Sequence, residues 1–156
     1  MATNLPKKSI SAAIAAALAI ATPFIAGWEG KRNDPYRDIV GVMTVCYGET
    51  KVEMRRYSDA ECTAMLEDSL VGYAEPVLKR NPRLEYHRNQ LAAATSLAYN
   101  IGPANYARST VARRFDTGNY VGACDAFLMW NKAGGREVRG LTNRRKAERA
   151  LCLTGL

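Results

Sequence analysis

The chain has a single histidine, His87, and its four cysteines, Cys46, Cys62, Cys124 and Cys152, include no C-x-x-C pair. That scarcity argues against a cysteine and histidine metal centre, and no cofactor is implied. His87 sits in a polar stretch and reads as an exposed side chain, neither ligand nor base. Internal repeats, low-complexity tails and long linkers are also missing. The 156 residues therefore make one domain, or one domain with a short N-terminal appendage. Acidic residues are in deficit, 15 against 22 Lys and Arg, for a formal charge of +7. This balance favours anionic partners such as nucleic acid, phospholipid or an acidic polymer, and selects none of them. An even cysteine set reads as two disulfides in an oxidising compartment. The pairs nearest in sequence, Cys46 with Cys62 and Cys124 with Cys152, are the expected ones.

Charge is absent from one further place. Lys7 and Lys8 precede an uncharged run from Ser9 to Trp28, the form of a positive n-region followed by an apolar stretch. Alanine dominates it, and only Ile10, Ile14, Leu18, Ile20, Phe24 and Ile25 carry strong apolar weight. At roughly 0.3 to 0.6 kcal/mol each, these residues supply about 2 to 4 kcal/mol towards insertion. Ser9, Ser11, Thr22 and Pro23 take some of that back, so membrane entry is marginal and reversible. A cleavable signal peptide is the rival reading, with Ala19-Ile20-Ala21 as its A-x-A site and Pro23 awkwardly placed after it. A buried amphipathic core helix is a third, but the run has no polar face at helical spacing. Residues 1–28 are thus expected to form a membrane-entering segment and 29–156 the folded domain.

After Pro35 the texture changes. Tyr36 to Tyr47 is short, rich in Val, Ile, Thr and Tyr, and broken by Gly41 and Gly48, which predicts two or three small strands joined by turns. Ser58-Asp59-Ala60-Glu61 is a capping-box pattern. Cys62, Met65, Leu66, Leu70 and Tyr73 follow on one helix face until Asn81-Pro82 stops the run. Further helices are expected over Tyr86–Asn100, from Ser109 through Phe115, over Val121–Asn131 and over Leu141–Leu153. The expected class is α+β: a mainly helical domain with a small antiparallel sheet near its N-terminal edge.

Chemistry enters between the apolar run and that sheet. Glu29, eight intervening residues, Asp38, five intervening residues and Thr44 set one carboxylate at a segment end, with a second carboxylate and a hydroxyl in the small sheet. Glycoside hydrolysis needs such a pair, one protonated acid for the leaving oxygen and one ionised group on the opposite face of the sugar. The bare spacing is weak evidence, because carboxylates at this distance are common and mostly solvated.

The frame EG-x(7)-D-x(5)-T-x(3)-G, with Gly41 inside it, resembles the catalytic motif of the phage-type lysozymes, glycoside hydrolase family 24. Ala98-Tyr99-Asn100-Ile101-Gly102, Ser109-Thr110, Gly118-Asn119-Tyr120, Trp130, Ala133-Gly134-Gly135, Gly140-Leu141 and Asn143-Arg144-Arg145 extend the likeness from about residue 28 to the end. With the alanine-rich leader, the chain looks like a signal-anchor-release endolysin within that family. The resemblance implies a lysozyme-like fold and a muramidase cutting the β-1,4 bond from N-acetylmuramic acid to N-acetylglucosamine in peptidoglycan. Glu29 would be the general acid, while Asp38 and Thr44 activate and hold the attacking water. It also implies Arg144 as ion partner of Glu29; Tyr47 and Asn100 are candidate sugar contacts. A carboxyl separation of roughly 6.5 to 9.5 Å, the inverting geometry, is the expected one. Burial would favour the protonated form of Glu29 and Arg144 the ionised form, and the sequence leaves that contest open. The protein is expected as a monomer at the host inner membrane facing the periplasm, inactive while anchored and soluble in the periplasm after release.

One position departs from the pattern. Gly48-Glu49-Thr50 stands where relatives often carry Gly-His-Thr, and Glu49 reads as a solvated side chain. A second function class rests on Arg113-Arg114 and on Arg144, Arg145, Lys146 and Arg149 read as a basic helix face. Such a surface would serve a membrane-disrupting or nucleic-acid-binding protein. Neither role explains the leader and the Glu29, Asp38, Thr44 frame together, so no nucleic-acid partner is expected.

Overall fold

The computed structural model describes residues 10–156; Lys7, Lys8 and Ser9 lie outside the described residues. The elements run α1 (Ala12–Ala26), β1 (Arg32–Arg37), β2 (Met43–Cys46), α2 (Asp59–Arg80), α3 (Arg88–Ile101), α4 (Pro103–Ala107), α5 (Thr110–Asp116), α6 (Tyr120–Ala126), β3 (Lys132–Ala133), β4 (Arg136–Glu137) and α7 (Arg139–Leu153). Among the described residues the architecture is α+β and mainly helical, with two small antiparallel hairpins.

α1 is most of the apolar run, and it lies inside the domain. Ser11 caps it, the hydroxyl accepting from the Ile14 N–H at 3.2 Å. Ile14, Ala17, Leu18, Ala21, Thr22 and Ile25 form a buried stripe at helical spacing, packed on α2 and α3. The outer face is Ala12, Ala15, Ala19 and Pro23, all exposed. The core-helix reading, set aside for want of a polar face, is therefore the arrangement observed. Alanine stands where a surface helix ordinarily carries charge, so the periodicity was hidden. No helix among the described residues is long and apolar enough to cross a membrane.

α3 is the central element. Every residue from Gln90 to Ala98 is buried, and α1, α2 and α7 pack around it. Ala92, Ala93, Ala94, Ser96 and Ala98 are small, so the surrounding backbones can approach closely. α2 opens with the expected capping box: Ser58 accepts from the Glu61 N–H, and the Glu61 carboxylate accepts from the Ser58 N–H, each at 3.1 Å. It runs through Pro76 and stops at Asn81.

Both expected disulfides are present, Cys46–Cys62 and Cys124–Cys152. The first ties the β1–β2 hairpin to α2, and the second ties α6 to α7. Several elements differ from expectation. β1 starts at Arg32, ahead of Pro35, and its register with β2 shifts between Arg32 and Tyr36, across the residue that has no N–H to donate. A 3-10 turn over Pro82–Tyr86 precedes α3. The helix expected to reach Asn131 ends as α6 at Ala126, followed by a 3-10 turn over Phe127–Met129 and the β3–β4 hairpin. Gly134 and Gly135, at φ 58 and φ 77, make that hairpin turn. His87 is half-buried rather than exposed, its ring 4.7 Å from that of Tyr120.

Candidate active site

Glu29 is placed by the end of α1. The Gly27 N–H reaches Pro23 O at 3.2 Å, and the N–H groups of Trp28 and Glu29 both donate to Ile25 O, at 2.9 and 3.1 Å. The backbone of Glu29 is thus bonded to the last turn of the helix and travels with it. Its side chain is 27% exposed and meets Arg144 of α7, Nη1 to Oε1 at 2.9 Å, with Arg144 only 7% exposed. So sheltered a pair is costly to break from one side only, by about 3 to 5 kcal/mol, because the survivor is left as a lone buried charge.

The hairpin places the other two groups of the motif through one residue, Val42. Asp38 Oδ1 accepts from the N–H of Val40 at 3.0 Å and of Val42 at 2.9 Å. The Asp38 N–H donates to Val42 O at 2.9 Å, and Thr44 Oγ1 donates to the same carbonyl at 3.0 Å. Gly41, at φ 84, makes the turn between them, a left-handed conformation that a side chain would strain. Thr44 is 4% exposed and pairs across the hairpin with Tyr36. Both Asp38 amide donors go to one oxygen, and the Thr44 proton is committed to a carbonyl. Asp38 Oδ2 and the Thr44 lone pairs are thereby left as acceptors.

Tyr47 is half-buried and packs against both hydrophobic clusters of the domain, while Asn100 is exposed on the last turn of α3. Its neighbour Tyr99 is the residue the sequence reading passed over. Burial, then the charges of Glu29, Tyr73 and Glu49, push the Tyr99 phenol up to about 12, with Arg144 opposing. Tyr99 therefore stays a protonated hydroxyl among the site charges, its ring edge-on to Tyr73 at 5.0 Å. The signal was available, because Tyr99 lies inside the Ala98–Gly102 motif.

Glu49 is not the solvated side chain the sequence led us to expect. It is half-buried, accepts from Ser69 Oγ at 2.9 Å, and its backbone exchanges hydrogen bonds with Val45, directly after Thr44. The basic face of α7 is corrected as well. Arg144 and Arg145 are buried, and Arg149 pairs with Asp125 at 2.7 Å. Of the four residues, Lys146 is exposed, and the Arg149 side chain is 40% exposed within its ion pair. Arg113 and Arg114 on α5 donate to the carbonyls of Arg108 and Gly122. Arg145 and Glu148, both fully buried, are in contact at 2.5 Å beneath Arg144. Among the described residues no cluster of His, Cys, Asp and Glu is arranged to hold a metal.

The fold is that of a lysozyme, a glycoside hydrolase. The family model described as phage lysozyme matches residues 26–148, and the chain belongs to that family. It is 38% identical to the SAR-endolysins of Bacteriophage PS119 and of Enterobacteria phage P21, alignments that span 96% of this chain and 95% and 96% of those proteins. The active form of the P1 phage endolysin Lyz superposes with a TM-score of 0.71 at 28% identity, covering 91% of this chain and 94% of that one. The secreted inactive form of the same endolysin reaches 0.53 at 26% identity, covering 67% and 75%.

Proposed function

We propose that this lysozyme is an endolysin that cleaves the β-1,4 bond between N-acetylmuramic acid and N-acetylglucosamine in bacterial peptidoglycan, with inversion, for release of phage or prophage progeny. Glu29 donates a proton to the leaving oxygen. Water held by Asp38 Oδ2 and Thr44 Oγ1 has both hydrogens occupied and turns a lone pair to the anomeric carbon. Asp38 takes the proton that this water loses. Inversion requires room for the water, a carboxyl separation of roughly 6.5 to 9.5 Å. Tyr47 and Asn100 are sugar contacts in this scheme, and Tyr99 is a neutral donor beside them. The observation that carries the reading is Glu29, held on Arg144 at 2.9 Å and partly open to solvent, in a chain of the phage lysozyme family. The +7 charge supports association with acidic cell-wall polymers, which added salt weakens. Clearing of a peptidoglycan suspension tests it. Glu29→Gln is expected to lose about 10²- to 10⁴-fold in rate, whereas a membrane disruptor or nucleic-acid binder would keep its effect.

The N-terminal segment supplies control. In the proposed anchored state it lies in the host inner membrane with the domain on the periplasmic side, and it later leaves to dock as α1. Three observations support this. Glu29 N–H is bonded to Ile25 O, so an α1 in lipid keeps Glu29 within about 10 Å of the bilayer and away from Arg144 and the hairpin. The outer face of α1 is alanine and proline, acceptable in both lipid and water. By estimate docking is favoured over lipid: insertion gains about 2 to 4 kcal/mol, and burying Ile14, Leu18 and Ile25 in the domain gains roughly 5 to 9 kcal/mol before ordering costs. A helix of 15 residues is roughly 22 Å long against a hydrocarbon core of about 30 Å, so spanning requires helix beyond Ala12 and Ala26. The mass of the mature protein tests the scheme, since loss of the residues before Thr22 would mean ordinary secretion and no switch.

A further inference from the structure

We infer that Glu148 is a positioning residue for the reaction: its buried carboxylate offsets the charge of Arg145 and lies beside Arg144, so that Arg144 meets Glu29 with a single net positive charge behind it. The inference rests on the reading of Glu29 as the acid.

Glu148 lies three residues after Arg145 and four after Arg144, so α7 turns all three to one side. That side faces the core. Arg145 and Glu148 are wholly inaccessible and Arg144 nearly so. Burying charges costs several kcal/mol each, and apolar residues of similar volume commonly serve stability as well or better. The trio therefore needs a reason beyond packing, and its geometry supplies one. Glu148 Oε1 is 2.5 Å from Arg145 Nε, while Oε2 is 3.9 Å from Arg144 Nε. The opposite edge of the Arg144 guanidinium carries Nη1, which reaches Glu29 Oε1 at 2.9 Å. A chain of alternating charge thus runs from Arg145 through Glu148 and Arg144 to Glu29, and only its last member is open to substrate.

Burial acts first on both inner groups, pushing the Glu148 carboxyl up and the Arg145 guanidinium down. Arg145, the Ser96 hydroxyl of α3 and Arg144 oppose it at Glu148. Arg145, in contact at 2.5 Å, is the first of the groups that oppose burial at that carboxyl. The electrostatic consequence is simple. Without Glu148, Arg144 and Arg145 would set two positive charges behind Glu29. With Glu148 between them, one net positive charge faces Glu29.

The test is the pH profile of peptidoglycan hydrolysis by full-length variants, with thermal unfolding measured alongside. Glu148→Gln keeps the shape and removes the charge, and its alkaline limb is expected to fall by about one pH unit. Glu148→Asp, which restores the charge, should bring the limb back towards wild type even at a lower Tm. Arg145→Met changes the balance in the opposite sense and should move the limb upward, which decides the matter alone where Glu148→Gln does not fold. A lowered Tm with an unmoved limb in every folded variant would make Glu148 purely structural and overturn the inference. Glu29→Gln, run in parallel, keeps the two claims apart: full activity there defeats the assignment of the acid, whereas an inactive Glu29→Gln with unmoved limbs defeats only the role of Glu148.

Discussion

Glu29 and Asp38 stand nine positions apart, yet the structure holds them by different means. Asp38 and Thr44 sit on a hairpin whose turn is closed by Val42 and whose second strand is covalently tied to α2 through Cys46–Cys62. Glu29 sits at the end of a helix that packs through a stripe of aliphatic and alanine side chains, and its polar partner is Arg144 of α7. Under the proposed switch, the hairpin half of the site would stay assembled while the acid comes and goes. The proposed switch would act on the weaker attachment.

Substitutions can break or sharpen this contrast. The largest effect is expected from Leu18→Asp, which puts an unpaired carboxylate into the fully buried seam of α1. Destabilisation above about 4 kcal/mol and loss of hydrolysis should follow, read by thermal unfolding and by turbidity clearing. Its counterpart, Ala19→Lys on the exposed face, should leave the folded enzyme within about 0.5 kcal/mol of wild type. Membrane insertion would cost about 3 kcal/mol more, seen as soluble, active protein in cell fractionation. Normal membrane retention of Ala19→Lys would break the proposed link between anchoring and silence. Next in size, replacing Cys46 and Cys62 with alanine should cost about 3 kcal/mol and lower activity by loosening the Asp38 hairpin. The corresponding Cys124–Cys152 variant should lose similar stability while keeping more of its activity near the melting onset. The smallest effect is expected from Glu49→Gln, because Glu49 adds a negative charge near Tyr99 and is held by Ser69. Its alkaline limb should fall by about a few tenths of a pH unit, and a profile superimposable on wild type would remove Glu49 from the site.

Much of this was legible in the chain because it was written locally. The capping box at Ser58, the stop at Asn81-Pro82, the Ser109 cap and both disulfide pairs involve residues close in sequence or turn chemistry with a fixed signature. The β3–β4 hairpin was missed although Gly134-Gly135 announces it, since strands of two residues carry no periodicity. Arg145 and Glu148 were misread or unseen because charge density on α7 says solvent, and only the neighbours of a charge decide whether it is buried. Glu49 was misread for the same reason: Ser69, its partner, lies on α2, twenty positions away.

The sequence by itself determined the class of the fold, the spacing of Glu29, Asp38 and Thr44, and an N-terminal segment apolar enough to leave water. Local propensity, capping and side-chain chemistry are properties of neighbouring residues, and a chain displays them without folding. Tertiary structure alone decided that this segment is a core helix, that Arg144 reaches Glu29 across 115 positions, and that two further charges are sealed beneath them. Those are long-range outcomes. An alanine-rich helix shows no polar face in its sequence, and a buried charge is tolerable only where the fold has already placed its opposite.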